Sequence, residues 1–473
     1  MTTTVSTVEG LSEESLAAFK MQVRGQALTP KDPGYEDVRP PFGAMYTDRP
    51  GLVVTCSGTA DVVDAVNFAR EHGIEVTVRG GGHSVAGLSS SDGGMVIDLA
   101  QMNGVHIDRE AKLAHVQGGA LWGDVDREAQ LFGLATPGGV VSDTGVAGLT
   151  LGGGYGWLRR KYGLACDSLV SAEVVGADGE VRTASADENP DLLWALKGGG
   201  GNFGVVTSFT FKLHPVGPIV AFTGVFYPTE DAAAVLRGFR AYGETAPDEV
   251  SALAVAITMP ADPHLPEPVH NKEVLIVGAT YVGDIEEGMS VMQPLRELAT
   301  PLADISQPMP FTVVQSAFDG FFPRGELRTY WKSTSASELS DGLIDLCAAK
   351  AQERPAPLAT VVVWLTGGQV NRVGEDESAF GERSAAYLLS IEGSWNDPAD
   401  DDKVVSWVRE TWSQIAEFGT GSTYLNFTGI DDETSQTGVD AAFGAKLERL
   451  AKIKAKYDPD NFFHRNNNIV PAA

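Results

Sequence analysis

From Leu52 to Leu213, short runs of β-branched and apolar residues alternate with stretches of helical period. Val53-Val54-Thr55 reads as a strand, Asp61 to His72 as a helix and Glu75 to Val78 as the next strand. Further strands are expected at Met95–Leu99, Leu113–Gln117, Leu169–Val175 and Val205–Leu213, with a helix over Asp191–Lys197. Asp61 stands where a helix N-cap belongs, and Gly73 follows the last helical residue, where the C-terminal cap favours positive φ. Pro215, Gly217 and Pro218 then punctuate the chain and mark a boundary. Beyond it, strands such as Glu273–Ala279 and Ala359–Leu365 alternate with helices such as Glu230–Tyr242, an α+β pattern. The last stretch, Lys446 to Pro471, runs from a charged helix through Tyr457-Asp458-Pro459 into an asparagine-rich strand or loop.

At 473 residues the chain exceeds what one hydrophobic core organises, so two lobes are expected. Charges and glycines interrupt every apolar stretch before it reaches the roughly 18 residues of a membrane span. Glu9, Glu13 and Glu14 occupy the region where a secretory leader needs a basic start and an apolar run, so the expected location is the cytoplasm. With 63 acidic against 35 basic residues the formal charge is −28, which repels nucleic acid and anionic membranes. Cys56, Cys166 and Cys347 are odd in number and widely spaced, with no CxxC pair, and read as packed thiols rather than metal ligands or disulfides.

Three glycine clusters carry the chemistry: Arg79-Gly80-Gly81-Gly82-His83-Ser84, Gly152-Gly153-Gly154-Tyr155-Gly156, and Gly198 to Gly204. Such loops let backbone N–H groups approach a phosphate without interference from Cβ. Gly199, Gly201 and Gly204 formally match the dinucleotide fingerprint GxGxxG, but that fingerprint follows a strand and opens a helix. Here a helix precedes the glycines and a strand follows them, so the match is accidental.

The clusters stand in order with Val96-Ile97-Asp98-Leu99, with Gly145 to Leu151, with Arg160-Lys161-Tyr162-Gly163-Leu164 and with Gly201-Asn202-Phe203-Gly204-Val205-Val206-Thr207. Tyr457-Asp458-Pro459-Asp460-Asn461-Phe462-Phe463 completes the series. It resembles the berberine bridge enzyme-like flavoproteins, a branch of the vanillyl-alcohol oxidase or p-cresol methylhydroxylase (PCMH) type. The likeness spans roughly residues 40–215 and 320–473 and is looser between them.

The resemblance implies an α+β, two-lobe PCMH-type fold. An FAD-binding domain would occupy 1–215, a substrate domain on an antiparallel sheet covered by helices 216–420, and a returning C-terminal segment 421–473. It implies FAD bonded through its 8α-methyl carbon to His83, in keeping with the nucleophilicity of a neutral imidazole. Cofactor contacts carry over to Arg79, Gly80, Gly81, Gly82, Ser84 and Gly87, then to Thr144, Gly145, Gly148, Leu149, Gly152, Gly153, Gly154 and Gly156, and last to Gly204, Val205, Val206, Asn466 and Asn468. In doubly linked relatives a cysteine precedes a histidine by eight residues. Those positions hold Val141 and Leu149, so single linkage is expected, as in bacterial members, and Cys166 is no substitute.

Thr423-Tyr424-Leu425-Asn426-Phe427 resembles the segment that reaches the flavin from the substrate side. Tyr424 is the candidate base, with Lys332 as a helper and Asn426 as an amide partner; the other reading is that Tyr424 packs and orients. By the same resemblance, the position beside the flavin's oxygen-reactive face carries over to Leu164. The implied activity is hydride transfer to flavin from a C–H next to oxygen or nitrogen, in a small alcohol, sugar or amine, with reoxidation by dioxygen or another acceptor. A flavin monooxygenase or oxidative cyclase is the alternative enzyme, and a non-catalytic flavin-binding protein the alternative of another class.

Overall fold

Strand pairing sorts the first half of the chain into two main sheets and the two-stranded pair Leu134–Ala135 with His214–Pro215, in a computed structural model that describes residues 8–429 and 435–473. Leu52–Thr55, Met95–Asp98 and Val76–Arg79 pair in parallel, with Gln26–Leu28 added antiparallel at the edge. The other sheet is antiparallel and runs Val105–Asp108, Leu113–Gln117, Val205–Lys212, Leu169–Val175, Val181–Ala184. The expected strands Leu113–Gln117 and Leu169–Val175 form with those bounds, and Pro190–Leu196 is helical as anticipated.

Gly73 takes φ 65° at the end of helix Thr59–His72, as its position required. Asp61 is not the N-cap of that helix. Gly58 caps it, and Asp61 in the first turn accepts hydrogen bonds from the backbone N–H groups of Ser57, Arg24 and Gly25. The carboxylate thus ties the helix to the edge strand, which serves more donors than one cap would.

From Ile219 to Trp395 the chain builds an eight-stranded antiparallel sheet. Val250–Thr258, Thr360–Leu365, Tyr387–Trp395 and Arg328–Ala336 lie side by side, the last at the sheet's edge. Successive side chains point to opposite faces. Leu389, Ile391, Val361 and Val363 pack in one core with residues of helices Ala232–Gly243, Asp341–Gln352 and Asp401–Ala416. Leu388, Val362, Trp364, Leu253 and Val255 belong to a different core on the other face. Burial on both faces explains why Val250–Thr258 and Thr360–Leu365 read as nearly unbroken apolar runs.

The tail returns to the first half. Lys454, in helix Leu447–Tyr457, is fully buried and donates to Asn202 O at 2.7 Å, Phe463 O at 2.9 Å and Asp458 at 2.5 Å. Asn202 in turn donates to Asn467 O and accepts from the Ile469 N–H. The loop before strand Val205–Lys212 and the asparagine-rich tail are therefore one hydrogen-bonded unit. Among the described residues no helix is long and apolar enough to cross a membrane.

Candidate active site

One cavity joins the glycine loops to the inner face of the eight-stranded sheet. Of the residues singled out in the sequence, Gly80, Gly81, Gly82, His83, Ser84, Thr144, Gly145, Gly148, Leu149, Gly152, Gly204, Val206, Tyr424 and Asn466 line it. Two of the loops touch backbone to backbone. A Cβ on Gly81 would stand 2.4 Å from Gly145 Cα, and one on Gly145 would stand 2.4 Å from Gly81 N, so neither position accepts a side chain.

His83 stacks on Phe42, with ring centroids 3.7 Å apart and planes at 20°. Its Nε2 is buried without a hydrogen-bond partner. Burial, followed by the nearby Arg324 charge, lowers its pKa to about 4 against the opposing pull of Asp143. The imidazole is therefore neutral across the physiological range.

Arg79, Gly87, Gly153, Gly154, Gly156, Val205 and Asn468 lie outside the cavity lining. Arg79 makes a buried ion pair with Asp98 at 2.8 Å and donates to the backbone at Val38 and Arg39, fixing the strand end that leads into the His83 loop. Gly87 lies against the Tyr46 ring, and Gly153 against Phe380. Gly154 donates its N–H to Tyr424 Oη at 3.1 Å. Leu164 is fully buried and is not part of the lining; its Cδ1 lies 3.6 Å from the Cβ position of Gly153. Val141 and Leu149, at the positions of the second linkage, both line the cavity and carry no nucleophile.

Tyr424 Oη accepts a second hydrogen bond from Asn426 Nδ2 at 2.9 Å, and Asn426 also donates to Leu149 O. Burial pushes the phenol up to about 12, even though both donors favour the phenolate. Lys332 takes no part in this arrangement. It projects from the opposite face of its strand, with Nζ 4.7 Å from the centre of the Trp412 ring, because Trp331 and Ser333 occupy the alternating positions.

The residue missed in the sequence is Glu392. It is 5% exposed, lines the cavity, and accepts a 2.6 Å hydrogen bond from Ser390. Burial raises its carboxyl to about 7. The available signal was a single acid inside the apolar strand Tyr387–Trp395.

A model of an FAD binding domain matches residues 50–185, and a model of berberine and berberine-like proteins matches residues 423–470. The FAD-linked oxidoreductase YgaK of Bacillus subtilis is 30% identical over 460 residues, covering 96% of this chain and 98% of its own. An FAD-linked oxidoreductase of Dictyostelium discoideum is 32% identical over 441 residues, 92% of each chain. The chain belongs to the berberine bridge enzyme-like FAD-linked oxidoreductases. The crystal structure of 6-hydroxy-D-nicotine oxidase from Arthrobacter nicotinovorans superposes on this oxidoreductase with a TM-score of 0.83 at 27% identity, covering 95% of this chain and 98% of the other.

The cavity of the oxidoreductase fits its cofactor. A Cβ on Gly148 or Gly201 meets no atom within 4 Å, so both glycines leave room that a side chain would fill. Arg465 Nε and Asn466 Oδ1, on residues of the same wall, are buried without partners, as His83 Nε2 is. Unsatisfied polar atoms of this kind are costly unless a bound group completes them.

Proposed function

We propose that this oxidoreductase carries its FAD covalently on His83 and oxidises a small alcohol, sugar or amine at a C–H bond next to oxygen or nitrogen. Dioxygen or another acceptor then removes the electrons. The observation that carries the reading is that one cavity brings together the neutral His83 imidazole with its partnerless Nε2, Tyr424 and the Glu392 carboxyl. Bound FAD supplies the two-electron, hydride-accepting chemistry.

The chain's own residues divide the remaining work. His83, held in plane by Phe42, is the neutral nucleophile for the covalent bond. The phenol of Tyr424 keeps its proton at neutral pH, and the two N–H donors on its oxygen direct the hydroxyl hydrogen away from themselves, so Tyr424 orients substrate. Glu392, with a pKa of about 7, is ionised to a useful extent near neutrality, and we assign it the acceptance of the substrate's O–H or N–H proton. The aromatic rings around it exclude water from that transfer.

The domain division at 215/216 and 420/421 is part of this proposal. It is supported by the start of the large sheet at Ile219 and by the hydrogen bonds of the tail to Asn202. Three buried, unpaired thiols fit a cytoplasmic setting. The test is anaerobic titration of the purified holoprotein with a panel of alcohols, sugars and cyclic amines. Bleaching of the flavin absorbance by a panel member supports the reading, and a flavin that no panel member reduces counts against it.

A further inference from the structure

His83 is placed by groups from distant parts of the chain. Its ring lines the cavity and has one face on the buried Phe42 ring. Phe42 belongs to residues 40–46, which form neither helix nor strand, so its place depends on what its backbone groups bond to. The Phe42 N–H donates to Gly82 O at 3.1 Å, next to His83, and the Phe42 carbonyl accepts from the Gly325 N–H at 2.8 Å. Two residues on, the Ala44 N–H donates to Leu327 O at 2.8 Å, and the Tyr46 hydroxyl donates to Val85 O at 2.6 Å. Gly43 permits the approach, since a Cβ there would stand 3.0 Å from Thr329 Oγ1. Residues 40–46 are therefore held between the His83 loop and the lead-in to the edge strand Arg328–Ala336.

A second tie runs through Arg324. It donates from Nε to Asp143 Oδ2 at 3.1 Å and from Nη2 to the Asp143 carbonyl at 3.3 Å. Its Nη1 passes 3.3 Å from the Cβ position of Gly82. Asp143 stands two residues before Gly145, the glycine that meets Gly81 backbone to backbone. The strand that follows these contacts carries Trp331 to the cavity wall. One stretch of chain thus reaches from the wall of the large sheet to the loop that presents His83. An uncovered imidazole visits several staggered rotamers, and a ring stacked on one face leaves it few. The consequence for chemistry is large, because a displacement of about 1 Å slows a bond-forming step by about a hundredfold.

We propose that Phe42 and Arg324 are positioning residues for the attachment of FAD: through them residues 324–327 set the His83 imidazole for bond formation, so that attachment depends on the large sheet being docked on the glycine loops. This rests on the covalent reading above. In that step a ring nitrogen of His83 forms a bond to the flavin's 8α carbon. One C–H bond of that carbon and the imidazole N–H bond break, each releasing a proton. The electron pair of the C–H bond stays on the flavin, and dioxygen takes the two electrons and the two protons as hydrogen peroxide.

The test uses the full-length protein, produced with limiting riboflavin and then given FAD in air, as wild type, Phe42→Leu and Arg324→Ala. Flavin that survives acid precipitation is followed over time at a series of FAD concentrations, which separates the rate at saturation from the half-saturating concentration. Phe42→Leu keeps an apolar side chain and removes the flat face, and Arg324 is an exposed residue whose replacement leaves the core intact. At saturating FAD the linking rate is expected to fall about tenfold or more in Phe42→Leu. In Arg324→Ala, where an exposed ion pair is lost, it is expected to fall about threefold to fivefold. The half-saturating concentration is expected to stay within about twofold in both, a split that a residue serving only the fold or the binding of FAD would not produce. Linking at the wild-type rate at saturating FAD in either variant, or slowing that extra FAD reverses, overturns the inference and leaves the covalent reading standing. A wild type that releases all its flavin into acid overturns the covalent reading and the inference with it.

Discussion

Replacing Glu392 by glutamine turns the burial of this carboxyl into a measurable dependence of stability on pH. Glutamine keeps the shape and still accepts from Ser390 while removing the titration. Burial moves the carboxyl from 4.5 to about 7, a displacement of about 2.5 pH units. At ~1.36 kcal/mol per unit this amounts to ~3.4 kcal/mol. Because the folded value is the higher one, the neutral acid's contribution is complete below 4.5 and is lost as pH rises through 7. Of the total, ~2.5 kcal/mol is lost between pH 5 and pH 8. Asp126, also raised to about 7 by burial against Gln315, titrates in the same window but is common to both proteins and cancels in the comparison. The assay is urea unfolding followed by tryptophan fluorescence at the two pH values. The variant is expected to gain ~2.5 kcal/mol on wild type between pH 5 and pH 8. Parallel stabilities at both pH values would refute the reasoning, because the carboxyl would then titrate alike in the folded and unfolded chain.

Gly148→Val places a side chain in the cavity and is expected to lower flavin content more than about tenfold at an unchanged far-ultraviolet circular dichroism spectrum, read from the ratio of flavin to protein absorbance. Lys454→Met leaves Asp458 buried without its cation and is expected to cost about 3–5 kcal/mol in urea unfolding; a smaller loss would mean that the carboxyl finds water. Tyr424→Phe keeps the ring and removes the hydroxyl. Flavin loading is expected to persist while stopped-flow reduction by a confirmed substrate slows about tenfold or less; slowing by about 10² or more would return the base role to Tyr424.

The cofactor side of the site was legible in the sequence because its signals are local. Arg79 to Ser84 follows a strand directly, and the glycines that meet at Gly81 and Gly145 announce themselves by residue type. The helix–glycine–strand order around Gly199 to Gly204 was enough to set aside a Rossmann reading, and the helix Pro190–Leu196 and strand Val205–Lys212 lie on either side of it. The substrate side was hidden because its signals are not local. Glu392 is one acid among 63, and only the register that sets it between Trp331 and Thr360 aims it at the cavity. Lys332 misled for the same reason: its neighbour Trp331 faces the cavity, and one step along a strand reverses the face. The cap expected at Asp61 missed the edge strand, since Arg24 and Gly25 lie far back in the chain.

The proposed covalent attachment of FAD to His83 is tested most directly by precipitating the purified protein with acid, digesting it and mapping the flavin by mass spectrometry. The account predicts flavin on the peptide that contains His83, and free FAD in the supernatant when the same treatment is applied to His83→Ala. Flavin released from the wild type, retained by the variant, or found on a cysteine peptide would contradict it.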